Sequence, residues 1–203
     1  MNGLQNLFSK QDDVHSLIAG IDEGLKEQIV SGLTGSSRSL LLASVYEKTN
    51  RPILLVTHNL LQAQKFHEDL SSFIPEDELY IYPANELIAA DLSVASPELR
   101  AQRVEALNFW TEGKKGIVIA PIPGVRRVLP PKDIWKRHQL TFKLGEEIEL
   151  DPTLNKFIAM GYNRAEMVAS PGEFSIRGGI IDIYPITEPN PMRIELFDTE
   201  IDS

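Results

Sequence analysis

Apolar runs and amphipathic stretches alternate along the first two thirds of the chain. The apolar runs are short and rich in β-branched residues, which predicts strands buried on both faces, at 52–57, 79–82 and 116–120. Between them, apolar residues recur every three to four positions, which predicts helices that begin after Asn59 and at Ser96-Pro97. This alternation predicts an α/β domain whose parallel sheet has flanking helices.

The pattern changes near Leu129-Pro130-Pro131. Beyond that point we expect short helices at 133–136 and 151–160 and strands at 139–144, 173–177, 180–184 and 192–197. These elements predict a smaller α+β domain with an antiparallel sheet. We place the boundary so that the domains are 1–133 and 134–203, and we expect a C-terminally truncated piece of a longer protein because apolar residues continue almost to Ser203.

Composition narrows the function classes. The 203 residues are 42% hydrophobic and 24% charged, which is typical of a globular protein, and neither a signal peptide nor a membrane span is visible, so we predict a cytoplasmic protein without membrane contact. The net charge of −9 argues against a stand-alone nucleic-acid-binding domain. Two small basic clusters, Arg126-Arg127 and Lys136-Arg137-His138, leave DNA contact as an alternative to solvated surface. Four histidines without cysteine give no metal-binding pattern, and we predict no catalytic residue.

A loop rich in glycine and serine connects a short predicted strand at 28–32 to a predicted helix at 40–48. A strand, a loop of this kind and a helix are the setting of a phosphate-binding P-loop, whose pattern is G-x-x-x-x-G-K-S/T. Gly32 and Ser39 fit that pattern, and Gly35 lies between them.

Two central positions of this loop depart from the pattern. Ser37 replaces a glycine, and its Cβ obstructs a backbone that must curl round phosphates. Arg38 replaces lysine with a longer, planar group. No apolar strand of the first domain ends in an acidic pair that would hold Mg²⁺. We therefore predict a degenerate P-loop without cofactor; a helix-capping turn and residual nucleotide binding both stay open.

Several segments resemble one family of repair proteins. The segment 52–59, with 62–64 and 73–75, looks like the region after the P-loop in UvrB-type repair helicases. The segment 171–185, reading PGEFSIRGGIIDIYP and followed by 193–197 and 200–203, closely resembles the second domain of the bacterial transcription-repair coupling factors (Mfd). The resemblance covers essentially the whole chain. It implies a degenerate, helicase-like UvrB domain 1A followed by a UvrB domain 2.

Two departures from UvrB favour the coupling factors. The P-loop is degenerate, and the segment 83–95 is short and has no aromatic residue, so a lesion-probing hairpin has no place. The resemblance implies a non-catalytic adaptor that recruits UvrA to stalled RNA polymerase in transcription-coupled nucleotide excision repair. An ATP-binding, UvrB-like repair helicase domain is the alternative. In the family, the longer protein is an ATP-dependent DNA translocase. Its motor binds ATP and Mg²⁺, other domains contact RNA polymerase and duplex DNA, and the amino-terminal module contacts the distal domains.

The resemblance also assigns UvrA-binding residues. These are Arg164, Arg177 and Arg193, together with Ser175, which stands where UvrB carries another arginine. Strand alternation places Ser175 and Arg177 on one face and Phe174 on the other, so we expect Phe174 in the core.

Overall fold

The computed structural model describes residues 3, 8–84, 96–126 and 128–203. The chain divides into two compact units, one of 1–94 and 105–128 and the other of 95–104 and 129–203. The sequence-predicted boundary between 133 and 134 stays a prediction. No helix within the described ranges is long and apolar enough to cross a membrane.

The first unit is an α/β fold with a parallel sheet of order β1-β3-β2. Its strands are β1 (Ile53–Thr57), β2 (Leu79–Ile81) and β3 (Ile117–Pro121), and a 3₁₀ turn at Glu76–Glu78 precedes β2. Its helices are α1 (Asp12–Asp22), α2 (Ser37–Thr49), α3 (Leu60–Ser71), α4 (Pro97–Glu112), whose first residues fall in the second unit, and α5 (Ile122–Val125). The structure thus confirms the predicted parallel sheet with its helices, whereas the helicase-like character stays a prediction.

Both sheet faces are covered where β3 runs through the centre. On one face, Ile117 and Ile119 pack in a cluster with Ala43 of α2 and Leu70 of α3. On the other face, Val118 packs in a cluster with residues of α4 that include Ala106 and Phe109. The predicted cap of α3 is confirmed, because the Asn59 side chain accepts a hydrogen bond from the Gln62 amide at 2.9 Å.

Two predictions for the first unit are wrong. Strand β1 is not buried on both faces, since Leu54 and Val56 are 48% and 47% exposed. The reason is that β1 lies at the sheet edge, beyond the β3 residues that cluster with α4. The predicted strand at 28–32 does not form. Instead the Gln28 side chain donates from Nε2 to the Leu17 carbonyl of α1, and Ile29 is 97% exposed.

The second unit combines helices with a five-stranded sheet of order β4-β5-β6-β7-β8. The helices are α6 (Lys132–Arg137) and α7 (Leu150–Ala159), and the strands are β4 (Asn163–Arg164), β5 (Glu173–Arg177), β6 (Ile180–Ile183), β7 (Met192–Phe197) and β8 (Glu200–Ile201). One face of this sheet packs on α7, where Phe174 is fully buried with its ring centroid 5.3 Å from that of Phe157. The prediction that Phe174 belongs to the core is therefore confirmed.

The sheet of the second unit is mixed, which corrects the predicted antiparallel sheet. Strand β4 pairs with β5 in parallel, while the other neighbours are antiparallel. The pairing is parallel because the loop 165–172 returns the chain to the end of the sheet where β4 began. Strand β5 therefore runs in the same direction as β4. The predicted strand at 139–144 is also wrong. Leu140 and Phe142 alternate with exposed residues and pack on the core without joining the sheet.

Candidate functional site

The segment 171–185 contains the whole β5–β6 hairpin, whose turn is Gly178-Gly179. A Cβ at Gly179 would lie 2.8 Å from the carbonyl oxygen of Leu196 in β7, so glycine is required there. The Leu196 amide donates to the Gly179 carbonyl at 2.7 Å. The close approach therefore ties the third strand to the hairpin.

The outward face of this sheet carries the polar side chains. In β5, Phe174 and Ile176 pack in the core, whereas Ser175 and Arg177 alternate with them. Cross-strand register places Ser175 opposite Asp182. Asp182 in turn lies opposite Arg193 of β7. Three residues of the outward face thus form one row across three strands.

The loop 165–172 is anchored to the sheet at both ends. The Ala165 amide donates to the Phe174 carbonyl, and the Gly172 amide donates to the Tyr184 carbonyl, each at 2.8 Å. Gly172 has φ +87°, a left-handed backbone that glycine adopts without strain. The loop therefore begins and ends at fixed positions beside the hairpin.

Three outward side chains of β5 bind the backbone of this loop. One Glu173 carboxylate oxygen accepts from the amides of Ala169 and Ser170, both at 2.9 Å. These backbone hydrogen bonds hold the pKa of Glu173 below its ordinary value. The Ser175 hydroxyl and one Arg177 nitrogen, Nη2, both donate to the Glu166 carbonyl, at 3.1 and 2.6 Å.

An open pocket of about 530 Å³ lies between the loop and β5. Its lining comprises Arg164, Ala165, Glu166, Ser175, Ile176 and Arg177. The fold thus brings together three of the four residues that the resemblance assigns to UvrA binding. Arg164 and Arg177 are exposed, whereas Ser175 is only 3% exposed.

The fourth assigned residue, Arg193, does not line this pocket. Its guanidinium makes a two-point ion pair with Asp182, with nitrogen–oxygen distances of 2.7 and 3.0 Å. Hydrogen bonding from Arg193 is the main reason that the pKa of Asp182 lies below its ordinary value. Arg193 is therefore held on the outward face at one end of the cross-strand row.

The P-loop-like segment of the first unit closes on itself. The Ser37 hydroxyl donates to the Thr34 carbonyl at 2.6 Å and accepts from the Thr34 amide at 3.0 Å. Arg38 donates from Nε to the Leu33 carbonyl at 3.2 Å. Gly32 and Gly35, with φ +83° and +55°, provide the left-handed turns of this loop.

The last residue of that segment bonds to a neighbouring helix. Ser39 is fully buried, and its hydroxyl donates to a carboxylate oxygen of Asp69 in α3 at 3.0 Å. A separate pocket of about 740 Å³ has Ser36 and Asp69 in its lining, with Leu61, Gln64, Lys65, Glu68, Ser72 and Phe73. Its two carboxylates face one lysine, which is unfavourable for a phosphate group.

Two sequence predictions fall partly on residues that the structure does not describe. Of the segment 83–95, in which we predicted no lesion-probing hairpin, residues 85–95 lie outside the described residues, as does Arg127 of the first basic cluster. Within the described ranges, no three histidine or acidic residues are grouped so that they could hold a metal ion.

The sequence reasoning missed Glu173 and the loop that it holds. The only signal was spacing, because Glu173, Ser175 and Arg177 are two residues apart and therefore share one face of a strand. That spacing does not reveal which backbone the three side chains bind.

Comparison with known proteins identifies the region that carries the pocket. Residues 140–203 match the family model of the UvrB interaction domain. The whole chain is 51% identical to the transcription-repair-coupling factor of Bacillus subtilis, over 17% of that protein. It is 44% identical to that of Staphylococcus aureus strain USA300, with 89% of the chain aligned to 15% of the relative, and 42% identical to that of Staphylococcus epidermidis, with 98% aligned to 16%.

The chain therefore spans about a sixth of the length of these curated relatives. The identity extends over both units, and the UvrB interaction domain covers most of the second. We conclude that the chain belongs to the family of bacterial transcription-repair-coupling factors, proteins of DNA repair, and corresponds to their amino-terminal region.

Proposed function

We propose that the chain is a non-catalytic adaptor whose second unit binds UvrA. In a longer protein of this family, the adaptor recruits UvrA to stalled RNA polymerase in transcription-coupled nucleotide excision repair. That longer protein is an ATP-dependent DNA translocase with ATP and Mg²⁺ in a separate motor. It contacts RNA polymerase and duplex DNA through other domains, which also contact the present module.

One observation carries this proposal: Arg164 and Arg177 line the same pocket inside the matched UvrB interaction domain. A guanidinium group forms paired hydrogen bonds with a carboxylate, and arginine is common among residues that dominate interface energies. Arg177 spends one nitrogen on the Glu166 carbonyl, and a guanidinium has five N–H donors. The bond to the loop therefore orients Arg177 and leaves donors for a partner.

Arg193 adds a second contact at the edge of the same face. Its ion pair with Asp182 is solvent-exposed, and exposed ion pairs are weak. A carboxylate of UvrA can therefore share or replace Asp182 at little cost. Ser175 acts differently, because it is buried and its hydroxyl already bonds to Glu166. We assign Ser175 to shaping the pocket from within.

The lack of catalysis is supported by the P-loop-like segment. Its serine and arginine bond to carbonyls of the same loop, and Ser39 bonds to Asp69 where a P-loop serine would bind Mg²⁺. Phosphate binding would require breaking these bonds beside the carboxylates of Glu68 and Asp69. This geometry disfavours the alternative of an ATP-binding repair helicase domain.

Calorimetric titration of the chain with purified UvrA tests the proposal. We expect saturable binding by the wild type and a large loss in Arg177→Glu, because the substituted carboxylate repels the proposed acidic group. Circular dichroism confirms that the variant is folded. Equal affinity of wild type and variant, or retardation of duplex DNA by the chain at physiological salt, would contradict the proposal.

A further inference from the structure

We infer that the segment 165–170 is a preformed recognition loop, with Met167 as its apolar anchor, for a partner surface that presents a carboxylate beside an apolar socket. This inference rests on the proposed function. It adds the loop, its anchor and the shape of the partner site to the arginines already assigned.

The loop is fixed before any partner arrives. Three alternate residues of β5, Glu173, Ser175 and Arg177, all bind its backbone. Ordering a flexible loop during association costs affinity, and a loop ordered during folding avoids that cost. Three consecutive outward side chains that serve one loop are more than an eight-residue surface connection needs for closure, because its ends are already bonded to the sheet.

The loop displays one large apolar side chain. Met167 is 73% exposed, and the backbone bonds at Glu166 and at Ala169 lie on either side of it. Methionine and arginine are both enriched at protein interfaces, and the thioether adapts to apolar sockets of varied shape. Met167 is thus an exposed apolar side chain on the same loop that supplies Ala165 and Glu166 to the lining of the arginine pocket, which suits it to act as an anchor.

The charges select the partner chemistry. Arg164 and Arg177 favour a partner with a carboxylate that reaches the pocket. The exposed Met167 favours a partner that also has an apolar recess. A nucleic acid offers phosphates without such a recess, and the net charge of −9 disfavours it. The geometry points to a protein surface, which under the proposed function belongs to UvrA.

Calorimetry with UvrA separates the anchor from the arginines. Met167→Ala is expected to weaken the affinity about tenfold, and Met167→Leu to stay within about twofold of wild type. Met192→Ala is the matched control, because Met192 is 48% exposed on β7, two strands from β5, and is expected to bind like wild type. Changes in salt concentration are expected to affect Met167→Ala and wild type equally, because no charge is removed.

Glu173→Ala tests the fixation of the loop, because it removes the carboxylate that accepts hydrogen bonds from the Ala169 and Ser170 amides. We expect affinity to fall roughly three- to tenfold, as the loop must then be ordered on binding. Hydrogen exchange at the Ala169 and Ser170 amides is expected to accelerate in the free protein while the thermal unfolding midpoint changes little. A Glu173 side chain that does not fix the loop would leave the exchange of these two amides unaffected when it is removed.

The outcomes separate the two proposals. If wild type binds UvrA and Arg177→Glu does not, but Met167→Ala binds like wild type, the recognition loop is overturned and the proposed function stands. Unchanged exchange of the Ala169 and Ser170 amides in Glu173→Ala overturns the fixation of the loop by Glu173. If the wild-type chain does not bind UvrA, both proposals fail.

Discussion

Two glycine-containing loops of this chain differ in their bonding: one is the predicted degenerate P-loop, and the other borders the predicted UvrA-binding residues. In the loop of the first unit, Ser37 and Arg38 bond to carbonyls of their own loop. In the loop of the second unit, much of the fixation comes from the neighbouring strand, through Glu173 and Ser175. Arg164 and Arg177 then line an open pocket at its side.

The difference shows that two glycine-containing loops can have different roles, depending on which side chains hold them. A loop whose own side chains bond to its carbonyls closes on itself, so it acts as a helix-initiating turn. A loop that is held by side chains of a neighbouring strand leaves the side chains around its pocket available to bind a partner. Each of these hydrogen bonds can be removed by a substitution and the consequence measured.

The largest effect is expected from charge reversal in the second loop. The double variant Arg164→Glu/Arg177→Glu should weaken UvrA binding by on the order of 100-fold or more, since two attractive contacts become repulsive. The matched reversal Arg38→Glu in the first loop should leave the affinity unchanged. Titration calorimetry with UvrA on wild type and both variants measures the three affinities. An equal loss of affinity in both variants would show that the two loops do not differ in UvrA binding.

An intermediate effect is expected from Ser39→Ala. The variant loses the bond to Asp69 from a fully buried position, which should lower the free energy of unfolding by about 1 kcal/mol. Urea unfolding followed by circular dichroism provides the measurement. UvrA binding should not change. Undiminished stability would show that this hydroxyl does not hold α2 against α3.

A smaller effect is expected from acid. Because the folded-state pKa of Asp182 is depressed, its ion pair with Arg193 stabilises the fold above the unfolded-state pKa. That contribution is lost as pH falls through the folded-state pKa, below about pH 4. Asp182→Asn should therefore show a shallower loss of stability between pH 5 and about pH 2 than wild type. Parallel slopes in urea unfolding would contradict the assigned cause.

The smallest effect is expected from repairing the P-loop pattern. Ser37→Gly/Arg38→Lys restores the consensus residues but leaves Ser39 bonded to Asp69 and no strand at 28–32. We expect neither the variant nor wild type to bind a fluorescent ATP analogue with Mg²⁺. Saturable micromolar binding by the variant would show that the two substitutions alone separate this loop from a nucleotide site.

Sequence reasoning succeeded where local pattern and tertiary packing agree. The continuous apolar run of β3 is buried throughout, and the caps at Asn59 and Ser96 begin helices as predicted. It failed at 28–32, where two apolar residues favour a strand. Among the described residues this segment pairs with no strand, and the Gln28 side chain bonds to α1. The hydrophobic pattern indicates which residues prefer burial, but it does not indicate which segments pair as β-strands.

The candidate site was predictable only in part. The resemblance selected Arg164, Ser175 and Arg177, which line one pocket, although their role in binding stays a prediction. The burial of Ser175 and the contacts of Glu173 depend on how the loop 165–172 returns to β5. That return has no periodic signature, because it is built from side-chain bonds to backbone atoms.

The requirement for glycine at 179 restricts how this surface can diversify among relatives. Any side chain there would meet the backbone oxygen of Leu196, which cannot rotate aside. The neighbouring outward positions of the hairpin meet no such barrier and can exchange residues as partners change. In a saturation library selected for folding alone, position 179 should therefore retain its single residue while position 177 accepts many.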